Sequence, residues 1–105
     1  MEKLKSFLGD SSELKGDLYS VGILRLDGTV TGNIRAEEVI ISETASIEGE
    51  ISAGKIIIVG KVTGTLRAEE AVEIRAKGFV SGNIITKRFV MVSGGKFNGR
   101  IEMTR

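Results

Sequence analysis

Val62-Thr63-Gly64-Thr65-Leu66 decides the fold of this chain. The stretch reads aliphatic, polar, glycine, polar, aliphatic, and the same pattern occurs six times. The other copies are Leu14-Lys15-Gly16-Asp17-Leu18, Val30-Thr31-Gly32-Asn33-Ile34, Ile47-Glu48-Gly49-Glu50-Ile51, Val80-Ser81-Gly82-Asn83-Ile84 and Phe97-Asn98-Gly99-Arg100-Ile101. Successive central glycines lie 16, 17, 15, 18 and 17 residues apart. A nearly fixed period is the mark of a stacked repeat, in which each unit buries its apolar face against the next.

Working outward from the glycine, each repeat resolves into three short segments with two inward positions apiece, because strand side chains alternate between faces. The fourth repeat gives Val62 and Gly64, then Leu66 and Ala68, then Val72 and Ile74. The second gives Val30 and Gly32, Ile34 and Ala36, Val39 and Ile41, and the third Ile47 and Gly49, Ile51 and Ala53, Ile56 and Ile58. The fifth reads Val80 and Gly82, Ile84 and Thr86, Val90 and Val92. The first, Leu14 to Leu26, is looser, with Ser20 at a small position, and the sixth stops after Ile101 and Met103.

Three short strands per turn describe an all-β, single-stranded parallel β-helix of about six triangular coils, each hydrogen-bonded to the next about 4.8 Å along the axis. A helical reading fails, since apolar residues recur every second position in Val- and Ile-rich segments. Separate hairpins fail too: the linkers between repeats vary in length, and the hairpin turn pairs Asn-Gly and Asp-Gly occur only once each, at Asn98-Gly99 and Asp27-Gly28.

Composition bounds the function. The 105 residues suit one domain: an N-terminal tail over 1–13, the β-helix over 14–103 and a remnant at 104–105. With 15 basic and 14 acidic residues the net charge is +1, which gives no electrostatic argument for nucleic acid. There is no Cys, so no disulfide framework or thiolate site, which suits a cytoplasmic setting. Zero Pro fits a chain that is nearly all backbone ladder. No apolar run approaches the roughly 18 residues of a membrane span, and residues 1–13 lack the apolar core of a secretion signal.

No catalytic chemistry is expected, and no cofactor or metal. The chain has no His to serve as a base near neutral pH or as a metal ligand. Its Ser residues have no activating partner in the pattern. Glu37-Glu38 and Glu69-Glu70 are adjacent pairs on corners, and a convex polar rod is expected to offer no cleft in which they could converge. No phosphate-binding G-x-x-x-x-G-K-[ST] is present.

Three kinds of surface remain as candidates. The two end coils of a β-helix expose unpaired backbone above an apolar section. The N-terminal coil brings Leu14, Leu18, Leu24 and Leu26 to one end, and the C-terminal coil brings Phe97, Ile101 and Met103 to the other. On the exterior of the third segment the successive residues read Arg25, Ile40, Ile57, Glu73 and Met91, so Ile40 and Ile57 stack as a candidate lateral contact. In the tail, Met1, Leu4, Phe7 and Leu8 lie at helical spacing beside Lys3 and Lys5, the pattern of a short membrane-touching segment. A corner series, Glu37-Glu38, Lys55, Glu69-Glu70 and Lys87-Arg88, would oppose unlike charges from coil to coil.

The run Leu14-Lys15-Gly16-Asp17-Leu18 … Leu24-Arg25-Leu26-Asp27-Gly28-Thr29-Val30-Thr31-Gly32-Asn33-Ile34 resembles the opening of a bactofilin domain. Phe97-Asn98-Gly99-Arg100-Ile101-Glu102-Met103 resembles its close, and Lys61-Val62-Thr63-Gly64-Thr65-Leu66-Arg67-Ala68 an internal repeat. The resemblance covers about residues 13–103. It implies a bacterial cytoskeletal protein with a right-handed β-helix that polymerises without nucleotide into filaments lacking polarity. It further implies attachment to the inner face of the cytoplasmic membrane through the N-terminal segment. It also implies scaffolding of cell-wall enzymes or other proteins, with a role in cell shape. Only residues 104–105 follow Met103, which leaves little for recruitment through a C-terminal tail. Two other classes share the stacked coils. A hexapeptide-repeat acyltransferase would need a catalytic His and a strict six-residue period, and a passive β-solenoid surface module would need a secretion signal.

Overall fold

The computed structural model describes residues 4–6 and 13–104, and side chains from Lys15 to Thr104. The strands are β1 (Leu4–Ser6), β2 (Glu13–Lys15), β3 (Leu18–Tyr19), β4 (Ile23–Leu26), β5 (Thr29–Arg35), β6 (Glu38–Ile41), β7 (Ser46–Ile58), β8 (Lys61–Ile74), β9 (Phe79–Met91) and β10 (Lys96–Met103). Every pairing is parallel. The first turn of the solenoid is β2, β3 and β4, and the second is β5 and β6. β7, β8 and β9 each trace three sides almost without a break, and β10 adds two sides of a further turn. The molecule is therefore five full turns plus a partial one at each end, since β1 lies against β4 on the third side.

The register follows the sequence period. Gly32, Gly49, Gly64, Gly82 and Gly99 stack in one column at the corner between the first and second sides. Glycine is required there by two facts at once. The backbone φ is between +131° and +145°, a region closed to most side chains. A Cβ on Gly64 would also stand 1.9 Å from the carbonyl oxygen of Gly49, and the same clash recurs up the column.

Inside the triangle, Val30, Ile34, Val39, Ile41, Ile47, Ile51, Ile56, Ile58, Val62, Leu66, Val72, Ile74, Val80 and Ile84 are essentially inaccessible. Each such side chain contributes about 1.5–3 kcal/mol by leaving water. Ala36, Ala53 and Ala68 line the corner between the second and third sides, where Thr86 takes the equivalent place in the fifth turn. The Thr86 hydroxyl is buried but satisfied: it donates to the Arg88 carbonyl at 3.0 Å.

Two expectations are corrected on the third side. Phe89 pairs with Val72 and Met91 with Ile74, so Phe89 and Met91 point inward while Val90 and Val92 face out. The cause is corner length. Two residues separate Thr86 from Phe89, as two separate Ala36 from Val39 and Ala53 from Ile56. The fourth turn has three, Glu69, Glu70 and Ala71, as the first has Val21, Gly22 and Ile23 between Ser20 and Leu24. The same irregularity breaks the expected charge series. Glu38 stands beside Lys55, but the next neighbours are Ala71 and Arg88, with Glu69 and Glu70 displaced from the ladder. Ion pairs found among the described residues lie elsewhere: Arg67–Glu50 at 2.8 Å, Lys77–Glu43 at 2.6 Å, Arg25–Asp27 and Arg75–Glu73. The Glu43 carboxylate accepts a hydrogen bond from the exposed Lys77 ammonium and holds its pKa above the usual lysine value.

Candidate functional site

At the C-terminal end no element among the described residues covers the core. β10 covers the first and second sides, and its far edge pairs with no other strand among the described residues. That edge presents backbone N–H and C=O groups, a template for another chain. Phe97 stacks on Val80, Ile101 on Ile84 and Met103 on Thr86, so all three continue inward columns. They nonetheless meet solvent, because among the described residues no further strand stacks on them: Ile101 is 36% and Met103 53% exposed, and Phe97 is half-buried.

The third side ends one turn earlier, and this adds two residues that the sequence pattern missed. Phe89 is half-buried and Met91 is 46% exposed, both at inward positions on which no strand stacks among the described residues. The Phe89 and Phe97 rings meet at 6.0 Å between centroids and 58° between planes, a tilted contact that joins the two levels of the end. The end surface is thus a stepped apolar section of Phe89, Met91, Phe97, Ile101 and Met103. A signal was available: a two-residue corner after Thr86, copied from the second and third turns, would have phased Phe89 inward.

The N-terminal end differs from expectation. Leu24 and Leu26 are fully buried within the single subunit, and β1 runs beside their strand with Lys5 opposite Leu24. They are core residues, so the expected N-terminal contact narrows to Leu14 and Leu18. Leu18 is half-buried against the core. Leu14 stands beside Val30 in the ladder. Gly16 heads the glycine column with open space where its successors meet a carbonyl. Tyr19 and Val21 add exposed apolar surface near this end.

The tail expected to be flexible, with an amphipathic helical face, is extended where it is described, since Leu4–Ser6 is a strand. The pairing uses backbone groups of the β4 edge, which a helix could not reach. Of the other expected membrane-contacting residues, Met1, Lys3, Phe7 and Leu8 lie outside the described residues.

The exterior of the third side carries three outward columns. Ile23, Glu38, Lys55, Ala71 and Arg88 form the first, and Arg25, Ile40, Ile57, Glu73 and Val90 the second. Asp27, Ser42, Val59, Arg75 and Val92 continue the face beyond the last buried position. Ile40 and Ile57 are adjacent, as expected, but Met91 does not extend their column; Val90 does. A groove also follows the corner between the second and third sides, contrary to the expectation of a rod without clefts. Ala36, Ala53 and Ala68 line it, with Arg35, Glu38, Lys55, Arg67 and Glu69 along it. The small alanines of this corner leave the hollow. Among the described residues no cluster of three His, Cys, Asp or Glu side chains is placed to hold a metal.

A profile of the bactofilins, described as polymer-forming cytoskeletal, matches residues 6–102. No curated protein gives a match. Among solved structures, a chain from the cryo-EM reconstruction of Thermus thermophilus bactofilin double helical filaments superposes with a TM-score of 0.83. It is 25% identical in sequence, and the alignment covers 98% of this chain and all of that one. Gly-centred repeats, a three-sided parallel solenoid with an uncovered apolar end, and a profile match over nearly the whole length converge, and this chain belongs to the bactofilin family of polymer-forming cytoskeletal proteins.

Proposed function

We propose that this chain is a scaffold subunit whose solenoids join end to end without nucleotide, like end to like end, into a filament without direction. The observation that carries the reading is the stepped apolar C-terminal section around the unpaired edge of β10. Two such ends related by a two-fold axis bury the same patch on both partners, and a second two-fold junction at the N-terminal end propagates the polymer. The contacts involved are backbone ladder and apolar packing, which need no hydrolysable ligand. The like-to-like choice follows the family resemblance. In this reading the segment containing Met1, Lys3, Leu4, Lys5, Phe7 and Leu8 holds the filament at the inner face of the cytoplasmic membrane. There the filament positions wall-modifying enzymes or other proteins and so contributes to cell shape.

The test is sedimentation of the purified protein in plain buffer, free of nucleotide and metal, beside Met103→Arg and Met91→Arg variants. Wild type pellets as filaments. Each variant stays folded by circular dichroism and stops at a small oligomer, because an arginine buried in the junction without a partner costs several kcal/mol. Filaments of normal length from folded variants at both positions would show that this end is not a junction.

A further inference from the structure

The exterior of the third side is charged in a pattern that complements itself under one operation. Rotate a second copy by a half turn about an axis lying in the face, along the strands, between the second and third turns. Turn one then faces turn four, and turn two faces turn three, within unchanged columns. In the middle column Ile40 meets Ile57, and Arg25 meets Glu73. In the third column Asp27 meets Arg75. In the first, Glu38 meets Lys55 and Ile23 meets Ala71. Every charged residue in this four-turn window finds one of opposite sign.

Other superpositions fail this criterion. Pairing equal turns side by side sets Arg25 on Arg25 and Glu73 on Glu73. Moving the rotation axis half a turn, onto Ile57, sets Lys55 on Lys55 and Glu73 on Ile40. Like charges held opposite each other count against an interface, and complementary ones fix its register. Within each subunit Arg25 already pairs with Asp27 at 3.6 Å, and Arg75 pairs with Glu73. The rotation therefore brings two prepaired dipoles together head to tail and closes a network of four charges. Ile40, Ile57 and Val59 are half-buried and stand between those pairs, as the apolar centre of an interface does.

We infer that the third side is a lateral interface with a second copy of this chain, running antiparallel and centred between Ile40 and Ile57. The inference rests on the filament reading above. The patch spans about 14 Å along the axis, three steps of about 4.8 Å. It is small beside the roughly 800 Å² per partner of a stable dimer. Single subunits therefore do not pair through it, whereas a filament repeats it at every subunit and gains by multivalency.

The absence of cysteine makes the register directly readable. Arg25→Cys and Glu73→Cys chains, each with a single thiol, are mixed, polymerised and treated with a bismaleimide that spans facing sheets about 10 Å apart. Electron microscopy of the same samples reports whether filaments form, so failure of end stacking is seen separately. The expected result is a covalent 25–73 dimer, identified by peptide mass, in the filament fraction. Adding Ile40→Lys and Ile57→Lys to both chains abolishes the adduct and leaves the filaments. Filaments that yield no 25–73 adduct, whatever homodimers they contain, overturn the inference. A 25–73 adduct of equal yield with both lysines in place overturns it as well.

Discussion

Glycine at the first corner is a requirement of the backbone. Gly64 has φ +131° and stacks against Gly49 so closely that a methyl group would overlap its carbonyl oxygen. Gly64→Ala is expected to lose more than about 4 kcal/mol, beyond the ordinary range for single substitutions. Gly16→Ala meets no neighbour and bears only conformational strain of about 1–3 kcal/mol. Urea titration of the two variants, each followed by circular dichroism, reads the difference directly; equal losses would show that stacking contributes nothing beyond φ. This column was legible in the sequence because spacing and residue type coincide. The phase after the next corner was not. Val90 and Val92 alternate as well as Phe89 and Met91 do, and only the corner length, two residues rather than three, selects between them.

Among the elements, β1 was the one hidden from the sequence. It pairs through the backbone edge of β4 over three residues, and such pairing needs no glycine motif or apolar alternation. The long strands β7, β8 and β9 were readable as three segments each, since their inward positions alternate without a break. The third side, shared by β4, β6 and the ends of β7, β8 and β9, holds the lateral candidate. Ile40→Lys with Ile57→Lys replaces two half-buried exterior residues and is expected to shift the stability of the fold by no more than about 0.5 kcal/mol per site, as surface changes do. Electron micrographs of the double variant are expected to show single filaments in place of pairs or bundles. Unchanged bundles would remove these residues from any lateral role.

For the whole molecule, the fold class and the exposed apolar C-terminal section were readable from the repeat, while the groove at the alanine corner was not. Its hollow comes from small side chains at a bend, which a pattern of inward and outward positions does not measure. Under the proposed function, membrane attachment belongs to the assembled state. Burying a Leu or Phe side chain yields about 1.5–3 kcal/mol, and ordering the backbone costs about 1–2 kcal/mol per residue. A single tail is therefore marginal, and many tails on one filament gain by avidity. Removing residues 1–8, which also uncovers the β4 edge, is expected to release filaments from anionic liposomes without dissolving them. Equal flotation with and without the tail would place membrane contact elsewhere.

The stacked glycines also make the molecule a ruler with coarse graduations. Each turn takes 15 to 18 residues of chain and advances the axis by about 4.8 Å. An extra residue at a corner, such as the third one before Val72, is absorbed as a local bulge and adds no length. Only a gain or loss of an entire turn moves one end away from the other. Such a change carries the same terminal surface to a new height. In the end-to-end filament proposed above, the distance between successive junctions is therefore written in whole turns, and inheritance can adjust it only by duplicating or deleting a complete repeat.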